Sequence, residues 1–323
     1  MRRGFDFDAA LCVGCNACNA ACMLENGFQP GTRSVRSWNS EALTLLSVIN
    51  LSMACNHCEK PSCLEGCPAK AYTIDSTGAV IHHQDRCMGC GYCTWRCPYD
   101  APKINEAKGF IEKCHFCIER ALDGIEPACV TACPTGALRM TELDEFPSAG
   151  VEWFPETGIR PSLRLRGTEM RSGPLIIPVD DAGPDDEENI PSVLATKILK
   201  EWSLLVFSLL VTAASALIIA SALKGSVPAG KLPAIMLTAA VTISFAHLGV
   251  RTKGWRAILN VASSPLSREI LMVILTTVLA YLNWFKPGMI HPVVQAVAAL
   301  LTLISADLVY FAADRSAMLK LHS

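Results

Sequence analysis

The chain has 323 residues, 51% of them hydrophobic, and 28 Lys and Arg stand against 30 Asp and Glu for a formal net charge of −2. No large basic face is visible, which excludes a nucleic-acid partner. All sixteen cysteines lie between Cys12 and Cys133, whereas most long apolar runs follow Trp202, so the two halves carry different work.

The opening Met1-Arg2-Arg3-Gly4-Phe5-Asp6 has a twin arginine with no apolar stretch behind it. It is not expected to act as an export signal by itself, and Met1 is expected to be the natural start. Without an export signal, metal ligation is a better reading of sixteen cysteines than eight disulfides.

The first cysteine group is Cys12, Cys15, Cys18 and Cys22, and the second is Cys55, Cys58, Cys63 and Cys67. Between the second and third groups, Ala71 to Ile81 reads as a short hairpin with a turn at Gly78. The third group is Cys87, Cys90, Cys93 and Cys97, and the fourth is Cys114, Cys117, Cys129 and Cys133. Every group ends in C-x3-C, and the first and third are C-x2-C-x2-C-x3-C. In that bacterial ferredoxin run three thiolates hold one cubane and the fourth ligates another. Pro68, Pro98 and Pro134 follow three of the groups and turn the chain away, while Met23 takes that place after the first. Zinc is the rival ion, but a zinc site needs two C-x2-C pairs and leaves the third and fourth cysteines idle. Four 4Fe-4S clusters use each of the sixteen thiolates once.

Groups two and three are separated by nineteen residues and look like one small ferredoxin, with groups one and four bracketing it. Ala137 to Met140 is the candidate strand closing the outer unit. A row of one-electron centres carries charge between sites too far apart to react directly. Tyr72, Tyr92, Trp95 and Phe116 lie among the ligands and are read as packing that keeps water out.

From residue 143 to 195 the chain is proline-rich and then acidic, with Asp180, Asp181, Asp185, Asp186, Glu187 and Glu188, and it reads as a solvated connector or a docking strap. Four membrane spans are expected after it, at about 202–223, 232–248, 270–285 and 292–313, the second and third near the short limit. A soluble bundle would show polar residues at helical period, and these stretches are nearly apolar all round. The expected fold class is therefore α+β: a double ferredoxin-like iron-sulfur domain over residues 1–142, then an all-α transmembrane bundle of four helices within 196–323.

With four spans, the cluster domain, the loop Gly249 to Arg268 and the carboxyl tail share one side. That side carries Lys197, Lys200, Arg251, Lys253, Arg256, Arg268, Arg315 and Lys320, against Lys224, Lys231 and Lys286 opposite, and the positive-inside rule puts the clusters in the cytoplasm.

The four cysteine groups, in this order, resemble the four-cluster subunit of the dimethyl sulfoxide reductase family of molybdoenzymes, over residues 1 to about 190. The resemblance implies four ligand sets: Cys12, Cys15, Cys18 and Cys133; Cys22, Cys114, Cys117 and Cys129; Cys55, Cys58, Cys63 and Cys97; and Cys67, Cys87, Cys90 and Cys93. Some relatives replace one cysteine by tryptophan, but Trp95 replaces none. The family also implies a separate molybdopterin catalytic subunit, and in many members the cluster subunit is exported with it, so an extracytoplasmic placement stands beside the cytoplasmic one.

The stretch Phe245-Ala246-His247-Leu248-Gly249, with Arg256-Ala257 and Ser264 to Ile270, resembles the quinol-binding membrane anchor of the same reductases. It implies a menaquinol or quinone site at His247, Gly249 and Glu269, in contact with the quinone pool. The bland alternative makes His247 and Glu269 ordinary helix-end residues. The family anchor has eight spans on its own chain, so four fused spans imply a halved anchor, a further membrane subunit or a homodimer. No haem is expected, because His247 and His291 lie at opposite faces. A rival function is a membrane-tethered polyferredoxin serving soluble carriers, without a quinone site. The sequence names neither the terminal substrate nor the direction of electron flow.

Overall fold

The computed structural model describes residues 2–38, 49–143, 158–167, 190–224 and 231–317. The acidic run at 180–188 lies outside the described residues.

The first strand, β1 (Arg2–Asp8), is buried without a break from Gly4 to Phe7, with Phe5 and Phe7 as its apolar side chains. It is the centre of a three-stranded sheet. β8 (Leu138–Leu143) pairs antiparallel to it, Phe5 opposite Met140, and β9 (Leu163–Arg166) pairs parallel to it, Phe5 opposite Leu163. The twin arginine at the chain start thus begins a strand. β9 falls inside the stretch read as a solvated connector. Its short alternation, Leu163 and Leu165 inward with Arg164 and Arg166 between, completes the face of β1, and Arg166 grips Asp6 through two bonds of 2.8 and 2.7 Å.

Three two-stranded hairpins follow from β2 (Ser34–Trp38) with β3 (Ile49–Met53), β4 (Tyr72–Ile74) with β5 (Val80–His82), and β6 (Lys103–Asn105) with β7 (Phe110–Glu112). The second is the hairpin read from Ala71 to Ile81, and Gly78 takes φ +83° in its turn. Short helices carry the C-x3-C steps: α2 (Ser62–Gly66), α3 (Tyr92–Arg96) and α5 (Ala128–Thr131) each hold one cysteine and stop before the next. The proline behind each of those next cysteines prevents continuation. α1 (Ala17–Asn26) holds Cys18 and Cys22, and with Met23 in place of proline it runs on to a left-handed Gly27 cap. α4 (Ile118–Leu122) follows the C-x2-C of the last group.

The second half is helical. α6 (Ile190–Leu223) is 34 residues, about 51 Å at 1.5 Å per residue, and its apolar part is Trp202–Leu223, as read from the sequence. α7 (Lys231–Ser244) ends in a 3-10 turn, Phe245–His247, and the chain then bends by 118° into a 3-10 segment, Arg251–Ile258. α8 (Pro265–Phe285) begins five residues before the expected third span. Ser264 caps it by accepting a bond from the Ser267 backbone N–H at 3.4 Å, and Pro265 sits at the first helical position. α9 is Pro292–Ala317.

Three of these helices are long and apolar enough to cross a membrane, and four if the bent pair from Lys231 is one span. α6 packs on α7, α7 on α8, α8 on α9 and α9 on α6, around Phe207, Val211, Leu237, Val273 and Ala299. Two pairs of polar groups meet inside the bundle: Thr276 with Thr302 at 2.8 Å, and Asn283, whose amide donates to Gln295 at 3.3 Å. The outward residues, among them Leu209, Val278, Leu300 and Phe311, are apolar and exposed, which suits lipid rather than water.

Candidate iron-sulfur sites and membrane cavity

All sixteen cysteines are free thiols, and neighbours occur within each of the four ligand sets that the resemblance implies. Cys12 lies beside Cys15, Cys18 and Cys133. Cys22 lies beside Cys117 and Cys129, and Cys114 beside both Cys22 and Cys129. Cys58 has Cys55, Cys63 and Cys97 around it, and Cys90 has Cys67 and Cys87, with Cys93 next to Cys90 and Cys67. Cysteines of groups one and four neighbour each other, as do those of groups two and three. The sets also succeed one another in space, since Cys18 is near Cys22, Cys114 near Cys55, and Cys63 near Cys93.

The backbone around each set is turned by residues in the left-handed region, including Asn16 (φ 58°), His57 (φ 43°), Phe116 (φ 58°) and Cys117 (φ 48°). Such turns aim N–H groups into a concavity that suits an anion. Backbone N–H groups point at sulfur accordingly: Ala71 to Cys67 at 3.3 Å, Gly89 to Cys87 at 3.4 Å, and Ala101 to Cys97 and Phe116 to Cys114 at 3.5 Å. Burial pushes the Cys22 and Cys97 thiols up to about 11 and Cys90 up to about 12. Thiolates in such dry surroundings need a cation, and ligation deprotonates a thiol outright, so the residues fit an iron-sulfur group. The first set is the most open, with Cys15 exposed and Cys12 and Cys133 partly so.

The fourth set borders the membrane half. A cavity of about 240 Å³ is lined by Met88, Cys90, Tyr92 and Trp95 from the cluster domain and by residues of α6 to α9, His247 and Glu269 among them. The two ionisable residues read from the sequence therefore line one cavity together with Cys90. Because α8 starts at Pro265, Glu269 is not an end residue but lies in the second turn, 5% exposed. His247 ends the 3-10 turn that follows α7, and its buried Nδ1 has no hydrogen-bond partner among the described residues. Tyr92 and Trp95, read as packing, line the cavity too, and the Tyr92 hydroxyl donates to the Val309 carbonyl at 3.3 Å. Their position between cysteines of the third group was the available signal.

Gly249 is not among the residues lining the cavity. It sits where two backbones touch: a Cβ on Gly249 would lie 2.0 Å from the Gly109 carbonyl oxygen, and the next residue, Val250, donates its N–H to the Met88 carbonyl at 3.0 Å. The rest of the loop read from sequence fastens the two halves. The Asn260 amide donates to the Cys67 carbonyl at 3.0 Å, the Ser264 hydroxyl to Gly66 at 2.8 Å, and the Arg256 guanidinium to Ala69 at 3.4 Å. From α3, the Arg96 guanidinium donates to Ala312 of α9 at 2.8 Å.

The family model of the 4Fe-4S dicluster domain matches residues 46–143. The chain is 37% identical over 154 residues to the B subunit of anaerobic dimethyl sulfoxide reductase from Haemophilus influenzae, covering 44% of this chain and 75% of that one. It is 38% identical over 173 residues to the thiosulfate reductase electron transfer subunit of Salmonella typhi, covering 51% and 85%. It is 35% identical over 172 residues to the formate dehydrogenase-O iron-sulfur subunit of Escherichia coli, covering 47% and 57%. With ferredoxin-type cysteine sets in the first half and apolar helices in the second, the chain belongs to the iron-sulfur electron-transfer subunits of dimethyl sulfoxide reductase-type molybdoenzymes, fused to a membrane-helical part.

Proposed function

We propose that this protein relays electrons between a quinol bound in the membrane cavity and a separate molybdopterin catalytic subunit. The observation that carries the reading is that Cys90, His247 and Glu269 line one cavity. The four cysteine sets would hold four 4Fe-4S clusters, which supply a row of one-electron acceptors from the cavity to the opposite, more open end at Cys15. That end suits the catalytic partner.

Quinol oxidation releases two protons with two electrons. The His247 Nδ1, which has no hydrogen-bond partner among the described residues, and the Glu269 carboxylate can each accept a hydrogen bond from a quinol hydroxyl and then its proton. The apolar remainder of the cavity, including Phe207, Leu248, Ile270 and Val273, fits a ring and the start of a prenyl tail and keeps water away. A protein serving only soluble carriers has no use for such a cavity.

The test follows quinol-driven cluster reduction by low-temperature electron paramagnetic resonance in the full chain. The double variant His247→Ala, Glu269→Gln is expected to slow reduction by about 10²-fold or more, the range for a lost proton acceptor, while keeping about sixteen irons per chain. Unchanged quinol reduction in that variant would sink the quinol site. About eight irons or fewer in fully loaded protein would sink the four-cluster assignment.

A further inference from the structure

Arg33 is the largest fully buried side chain among the described residues, at 1% exposure. It follows Gly31 and Thr32 in a stretch without a motif. One guanidinium nitrogen, Nη1, donates to the Ser52 hydroxyl at 2.8 Å, and the plane lies over the Phe5 ring with Cζ 4.8 Å from its centroid. The other two nitrogens, Nε and Nη2, are buried with no hydrogen-bond partner among the described residues. No described carboxylate forms an ion pair with the guanidinium. The Ser52 hydroxyl it donates to stands 3.2 Å from the Cys18 sulfur of the first set, and among the cysteines Cys129, Cys114 and Cys22 of the second set act on the guanidinium more strongly than Cys18.

A dry guanidinium with two idle donors is costly unless something anionic completes it. We propose that Arg33 is the positioning cation of the second cluster, donating from Nε and Nη2 to the sulfurs held by Cys22, Cys114, Cys117 and Cys129 and raising that cluster's reduction potential. The inference rests on the four-cluster assignment above. Reduction adds one electron to the cluster, and a fixed positive charge in low dielectric favours the more negative state. Lys113, a second buried cation of this domain, differs in that its ammonium already donates to the Val80 and Cys114 carbonyls. Arg33 has two donors left over.

The effect should be local. The second cluster responds most, the first through Cys18 less, and the third and fourth not at all. The experiment is a redox titration of the complete protein, wild type and Arg33→Met, followed by electron paramagnetic resonance of each cluster with iron counted in both. The expected result is a tenfold or larger shift of the second cluster's equilibrium toward its oxidised form, a fall of about 59 mV or more for a one-electron couple. Equal potentials in a fully loaded variant would overturn the proposal while leaving the four-cluster assignment intact, whereas wild type short of sixteen irons would strike that assignment itself.

If Arg33→Met does not assemble clusters, wild-type protein labelled with 15N-arginine decides. A 15N hyperfine coupling on one reduced cluster, absent in Arg33→Lys, supports the donation, and its absence from every cluster of the wild type overturns it.

Discussion

A side chain on Gly249 would have nowhere to go. Its Cβ would meet the Gly109 oxygen at 2.0 Å, and a Cβ on Gly109, which takes φ +73°, would meet the Gly249 oxygen at 2.7 Å. Both atoms are backbone, so neither contact can be relieved by a rotamer change. Gly249→Ala is expected to cost about 1–3 kcal/mol of stability through overpacking, and to loosen the cavity that the docked loop helps to wall. Thermal melting in detergent would read the first effect, and slower quinol-driven cluster reduction at unchanged iron content the second. An unchanged melting temperature would mean that the two halves do not press together at these glycines. At this scale the sequence was informative where chemistry demands a residue type at a fixed spacing: the cysteines, and His247 and Glu269 beside apolar runs. It was silent on Arg33, whose burial depends on strands and loops distant in sequence, and on the contact of Gly249 with the Gly109 backbone, because close backbone contact leaves no pattern.

Among the elements, β9 tests how the outer ferredoxin unit is closed. Leu163 is buried in the sheet with β1, and the Ser162 carbonyl accepts the Phe5 N–H at 2.9 Å. Leu163→Ala should cost about 2–5 kcal/mol, as for other buried leucines, and lower the melting temperature of the cluster domain. If Leu163→Ala melts with the wild type, β9 is dispensable and the region behaves as the connector its composition suggests. Proline and charge on both sides hide a four-residue strand that is made by its partner. The helices behave differently. The apolar part of α6 matches the expected 202–223 because lipid imposes length and composition directly, while α8 starts earlier than its apolar run because Ser264-Pro265 is a capping signal rather than a hydrophobic one.

For the molecule as a whole, the described part of residues 2–143 has little regular structure to stand on: its helices hold four to ten residues and its strands three to seven. Much of its buried apolar group is the cysteines themselves. Cluster binding should therefore supply folding free energy, as structural metal sites do. Stripping iron anaerobically with a chelator and mild denaturant is expected to unfold the amino-terminal half together with loss of the visible chromophore, while the helical signal of α6 to α9 persists. A stripped protein retaining native protease resistance over residues 2–143 would contradict this.

The sequence by itself determined the ferredoxin-like domain, the grouping of sixteen cysteines into four runs, the presence of apolar membrane-length helices and the identity of two ionisable residues near them. These are properties of spacing and composition, which covalent geometry, metal chemistry and lipid read locally. Only the tertiary structure decided that His247, Glu269, Tyr92 and Cys90 share one cavity, that β9 closes the first sheet, and that Arg33 is buried near Cys129, Cys114 and Cys22 with no ion-pair partner among the described residues. Those facts are relations between segments that are distant along the chain, held by backbone docking at Gly89, Gly109 and Gly249 and by buried charge. Neither leaves a periodic mark on the residues that make it.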